Sequence, residues 1–189
     1  MATQEDINQC VLQAHGNLDE VRKLVDADPE LVLGNAEWTE TPLQAASHMG
    51  RKDIAEYLLE QGAELDFFAA AMLGRSDDVA RFIAADQSLP QSAGVHGIPS
   101  LYFPALTGQI AIVETLLEGG AEVNAGEGGN TPLHGAAAGR RTQMAQWLLA
   151  RGANRSAVNY DGKTPSEVAT AMGSEELAAL LAPVPVPAG

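Results

Sequence analysis

A mainly α-helical solenoid of about six stacked repeats is the fold class that this sequence predicts, on three observations. First, TPLQAASHMGRKDIAEYLLEQGAELD (Thr41 to Asp66) and TPLHGAAAGRRTQMAQWLLARGANRS (Thr131 to Ser156) match in register, and a partial copy, DGKTPSEVATAMGSEELAALLA, starts at Asp161. Second, aligning Gly16, Gly50, Gly74 and Gly108 brings an apolar pair to the same distance after each: Leu24-Val25, Leu58-Leu59, Phe82-Ile83 and Leu116-Leu117. Third, apolar residues make up 46% of the 189 residues but aromatics only 5%, so the core rests on Ala, Leu, Val and Ile. That composition suits thin, closely packed helices. The length is enough for one domain with a sizeable core.

Each part of the repeat has a physical role. Thr41 and Thr131 can cap a helix by offering an oxygen to an orphan amide. Pro42 and Pro132 then fall at the first helical position, where a missing N–H costs nothing. Leu43 and Leu133 point inward, and Ala45-Ala46 and Ala136-Ala137 keep the helix thin enough for neighbours to stack. Leu58-Leu59 and Leu148-Leu149 bury a second helix, which Gly62 and Gly152 end with a left-handed residue. Gly-Ala recurs at Gly62-Ala63, Gly120-Ala121 and Gly152-Ala153.

These residues resemble the ankyrin repeat, a unit of about 33 residues with a Thr-Pro-Leu-His start. The resemblance covers roughly residues 5–182. It implies a pair of antiparallel helices per repeat, with a short β-hairpin finger projecting between repeats. A single domain over residues 1–182 is expected, with repeats near 5–34, 35–66, 67–94, 95–126, 127–158 and 159–182, and a Pro-rich flexible tail at 183–189. The first repeat is a degenerate cap, and the last lacks a full second helix. Stability comes from stacking, because no single repeat can bury its apolar face alone.

Two departures from the pattern carry expectations. Gly50 to Gly74 spans only 24 residues against 34 for Gly74 to Gly108, so the finger before the third repeat is missing. Asp66 then caps the next helix, and Phe67 and Phe68 take the places of Leu43 and the motif's His. The lost finger is either a tolerated deletion or an opened groove. The missing length partly returns as a long loop, AADQSLPQSAGVHGIPS, before the fourth repeat. The second departure is Pro104, which replaces an Ala inside a first helix; an interior proline costs about 3 kcal/mol. A shortened helix near residues 104–108 is expected, with Phe103 displaced toward the groove.

The resemblance also implies where partners bind: the finger tips and the exposed face of the first helices. The matching positions here are Trp38, Glu40, His96, Asn130 and Tyr160 on fingers, and His48, Met49, Met72, Leu73 and Leu106 on helices. Met49, Met72, Leu73, Leu106 and Met172 are expected to form an apolar stripe, and exposed apolar stripes mark interfaces. The function expected is non-catalytic protein–protein binding by a monomer. One alternative is a small-molecule-binding or catalytic protein with a pocket near Phe68 and Phe103. Another is salt-dependent self-association of the basic end with the acidic start.

Charge narrows the partner. The net charge is −14, distributed as −10 over residues 1–66, −5 over 67–139 and +1 over 140–189. Such a chain repels nucleic acid and anionic membranes and suits a basic protein partner. The start, MATQEDINQC, is not a signal peptide, and the single cysteine, Cys10, allows no internal disulfide, so a cytoplasmic location is expected. His15, His48, His96 and His134 share no metal-ligand spacing, so no metal or cofactor is expected; His134 is read as a bridge between backbone groups of adjacent repeats. Cys10 is read as buried and inert. Gly162-Lys163-Thr164 lacks the partner glycine of a phosphate loop, and Arg140, Arg141, Arg151 and Arg155 form the only basic cluster.

Overall fold

The computed structural model describes residues 2–183, so nearly all of the tail expected at 183–189 lies outside the described residues. Within them twelve α-helices form six pairs. These are α1 (Gln4–Ala14) with α2 (Leu18–Ala27), α3 (Pro42–His48) with α4 (Lys52–Glu60), and α5 (Phe67–Leu73) with α6 (Ser76–Ala85). They continue with α7 (Tyr102–Thr107) and α8 (Ile110–Glu118), α9 (Pro132–Ala138) and α10 (Thr142–Leu149), and α11 (Pro165–Ala171) and α12 (Glu175–Leu181). Each first helix packs on the first helix of the next pair, from α1 on α3 through α9 on α11. The alanines make this contact possible: Ala45, Ala46, Ala69, Ala70, Ala136 and Ala137 are fully buried.

The caps are where the repeat places them. Thr3, Thr41, Thr131 and Thr164 each accept from an amide one turn on, and a side chain there reaches back to the threonine N–H. This reciprocal box satisfies two orphan donors at once. Asp66 caps α5, accepting from the Ala69 amide at 2.7 Å, so the chain passes from α4 to α5 with no finger between them. The stack is so tight at α9 that a Cβ on Gly139 would lie 1.8 Å from the Leu106 carbonyl oxygen.

Two features differ from expectation. The fingers are closed turns, with no strand among the described residues beyond one isolated antiparallel bridge between Ala93 and Pro99. Ala36 donates to the Glu40 carbonyl, Gly94 to Ile98 and Asn159 to Lys163, at 2.8–2.9 Å, and the turns are too short to extend a ladder. Pro104 shortens its helix less than expected. Because α7 starts at Tyr102, Pro104 is its third residue and lies in the first turn, whose N–H groups have no intrahelical partner anyway. Phe103 is therefore not displaced outward but buried, its ring 5.0 Å from that of Phe68. The last pair's second helix, α12, is formed but has only seven residues, against eight in α10.

The gap left by the missing finger is filled. The loop before α7 lays Gly94, Val95 and His96 over it: a Cβ on Gly94 would meet Phe68 and Phe103 within 3.3 Å. Gln44, Ser47, Asp66, Phe68, Val95 and Phe103 close on one another and leave no room for a water molecule. The groove and the ligand pocket considered at this place are thus both occupied by the protein itself.

Candidate functional site

A one-residue rotation decides which first-helix positions face outward. Taking the left-handed Gly50, Gly74 and Gly108 as anchors, the residues two positions earlier are His48, Met72 and Leu106, and all three are buried. Consecutive residues on a helix are about 100° apart, so Met49 and Leu73, one position before their glycines, turn toward solvent, whereas Thr107 at the same place before Gly108 stays buried. Met49 is 49% exposed and Leu73 half-exposed. Met172, before Gly173, is also exposed. The apolar stripe expected from sequence therefore loses Met72 and Leu106. Leu106 reaches across the short third pair, and a Cβ on Gly50 would strike it at 2.8 Å. Met72 lies wholly inside the stack, its carbonyl accepting from Thr107 Oγ1 at 2.7 Å.

On the fingers, Trp38 is 39% and Tyr160 62% exposed, His96 is exposed, and Asn130 is half-buried. Tyr160 ties two fingers together, its hydroxyl donating to the His96 carbonyl at 2.9 Å while its ring rests on Gly129. Asn159 donates to Asn130 Oδ1 at 3.4 Å.

Glu40 is the largest surprise among the expected contact residues: it is 1% exposed and cannot touch a partner directly. Three imidazoles surround its carboxylate. His48 Nδ1 lies 3.0 Å from Oε1, His96 Nε2 3.5 Å from Oε1, and His15 Nε2 3.7 Å from Oε2. The rings of His15 and His48 are 5.0 Å apart, and those of His48 and His96 5.4 Å. The Trp38 indole donates to Oε2 at 2.8 Å. Burial alone would push the Glu40 carboxyl up; the contacts with His48 and Trp38 and the neighbouring imidazole charges outweigh it and hold the carboxyl below its ordinary range. Spacing along the chain did not reveal this cluster, because its four members come from three different repeats. His15 ends α1, His48 ends α3, and His96 sits in the loop that fills the finger gap, in a left-handed conformation with φ 57°. One signal was present: His15 and His48 are 33 residues apart, the length of one repeat, and stacking brings such positions together.

The fourth histidine does what its motif implies. His134 Nδ1 meets the Thr131 N–H at 3.2 Å, and Nε2 meets the Lys163 carbonyl of the next finger at 2.9 Å. Burial pulls its pKa down, partly offset by the bond to Lys163. Cys10 is fully buried and its thiol is pushed up to about 11 by desolvation, so it is a poor nucleophile. The arginines do not converge on a ligand. Arg141 donates to the Leu106 carbonyl, Arg155 to those of Leu180 and Ala182, and Arg151 stacks on Trp147 at 3.3 Å. Thr164 of the Gly-Lys-Thr string caps α11. No helix among the described residues is long and apolar enough to cross a membrane.

Comparison with known proteins agrees with this architecture. A family model described as three copies of ankyrin repeats matches residues 101–185, and a single ankyrin repeat matches residues 39–70. An I-kappa-B like protein G2 of Microplitis demolitor bracovirus is 32% identical over 120 residues, 62% of this chain and 68% of that protein. Protein phosphatase 1 regulatory subunit 27 of Mus musculus is 33% identical over 96 residues, 50% of this chain and 62% of that protein. A putative ankyrin repeat protein of Rickettsia felis is 29% identical over 147 residues, 69% of this chain and 54% of its own length. The chain thus spans between about half and two thirds of the length of these relatives. Ankyrin repeats generally mediate protein–protein interaction, and the stacked helix pairs, threonine capping boxes and matched repeats place this chain in the ankyrin-repeat family.

Proposed function

We infer that this chain is a non-catalytic, cytoplasmic protein-binding module, acting as a monomer on a basic protein partner. The observation that carries this reading is the set of large apolar groups left in solvent on fingers and first-helix ends: Trp38, Met49, Tyr160 and Met172, beside half-exposed Leu73. Folding gains nothing from exposing them, whereas a partner that covers them gains their apolar area. His96 and Asn130 lie among them as polar contacts. The net charge of −10 over residues 1–66 supports a basic partner. Relatives named for regulatory roles, such as the phosphatase subunit, fit a module that acts by binding.

The test is capture from native lysate by the wild-type chain beside a Met49→Glu, Leu73→Glu, Tyr160→Ala variant, with circular dichroism to establish that both are folded. A partner retained by wild type and lost by the variant supports the assignment. Equal capture by both would move the interface to the second helices.

A further inference from the structure

We propose that His15, His48, His96 and Glu40 form a binding site for one divalent transition-metal ion of the zinc class, clasping the first, second and fourth repeats together. The inference goes beyond the protein-binding reading and does not depend on it.

Four observations converge. The donor set is three imidazoles and one carboxylate, the nitrogen and oxygen ligands that zinc, nickel and copper take. The ligand atoms of His15, Glu40 and His48 all lie within 4.8 Å of one another, and His96, outside that trio, brings its Nε2 to 3.5 Å from Glu40 Oε1. In a tetrahedron with bonds of about 2.0 Å the ligand atoms stand roughly 3.3 Å apart. The contacts of Glu40 Oε1 with His48 and His96, 3.0 and 3.5 Å, straddle that spacing, and His15 stands 3.7 Å from the other oxygen, Oε2.

The third observation is the orientation of His15. Its Nδ1 lies 3.0 Å from the Val11 carbonyl. A carbonyl only accepts, so Nδ1 carries the proton, and in the neutral ring the Nε2 lone pair faces the carboxylate. An imidazole held this way by a backbone carbonyl is the usual arrangement of a metal-ligating histidine. Trp38 does the same for Glu40, fixing Oε2 by its indole N–H.

The fourth observation is a deficit. Glu40 Oε1 and His48 Nδ1 are buried and 3.0 Å apart, a close charge contact without the alignment of a hydrogen bond. Buried polar atoms are rarely left so, because such an atom has lost its water without gaining a partner. A cation between them would satisfy both. Entry is open on one side, since His96 and His15 are 48% and 32% exposed. Metal binding would also fix the loop bearing His96, and through its carbonyl the exposed ring of Tyr160.

The experiment is equilibrium dialysis of chelator-stripped protein against Zn2+, with Mg2+ as control, alongside thermal unfolding. One Zn2+ per wild-type chain is expected, with a melting temperature that rises with Zn2+ and not with Mg2+. His15→Ala, His48→Ala and His96→Ala should each weaken binding by about tenfold or more, as even outer-shell losses do, and His134→Gln should leave it intact. His96→Ala is the safest variant to fold, because its side chain is half in solvent. Failure of the stripped wild type to take up Zn2+, or equal uptake by all three alanine variants, would overturn the site.

Discussion

Single residues hold this stack at its caps, and Asp66 is the most exacting of them. Its carboxylate starts α5 directly after α4, and burial raises its pKa despite bonds from the Ala69 and Phe68 amides. A carboxyl raised in the folded state favours folding only while protonated; that contribution is complete below the unfolded value and is lost as pH rises through the folded one. At neutral pH the buried charge is therefore a cost, while the cap itself is a gain. Asp66→Ala is expected to cost about 1 kcal/mol in urea unfolding. Asp66→Asn keeps the cap without the charge, so it should match or exceed wild type at pH 7 and lose that advantage below the carboxylate range. His134 has the opposite slope. Its lowered pKa gives stability that is full above the unfolded value near 6.5 and is lost as pH falls through the folded value. His134→Gln, with glutamine filling the role that Gln44 plays in α3, should flatten the fall in melting temperature between neutral and mildly acidic pH. These roles were readable in sequence, Asp66 from the missing finger before Phe67 and His134 from its place in the repeat motif. The Glu40 cluster was not, because its contacts depend on how repeats stack and on where a loop settles.

At the scale of elements, position within a helix decides what a residue costs. Read from sequence, Pro104 is an interior proline; in the structure it sits in the first turn of α7, where no intrahelical bond is missing. Pro104→Ala should therefore change stability by less than about 1 kcal/mol, and a gain near the 3 kcal/mol of an interior proline would contradict the placement. Gly139 gives the contrasting case. Its Cβ would overlap the Leu106 carbonyl, both atoms being tied to rigid helices, so Gly139→Ala is expected to cost about 3 kcal/mol or more in denaturant unfolding. The helix pairs, their caps and the absent finger were legible because each depends on local chemistry repeated in register. The burial of Met72 and Leu106 was less so: the sequence marks them as apolar, but a rotation of one residue decides between stack and solvent. Only Met49, Leu73 and Met172 of the expected stripe lie on the outward side.

Over the whole molecule, the stacked pairs share one long edge where fingers and first-helix ends line up. The missing finger breaks that edge, and the loop before α7 repairs it. His96 thereby comes to lie between the finger of Trp38 and that of Tyr160, so residues distant in sequence form one continuous surface. For the basic partner proposed from the acidic charge of residues 1–66, binding should weaken as salt is raised. The measurement that tests the binding surface most directly is hydrogen exchange of the chain alone and with its captured partner. New protection is expected at the finger turns near residues 36–40, 94–98 and 159–163 and at the ends of α3, α5 and α11. Protection confined to the second helices α4, α8 and α10 would contradict this placement.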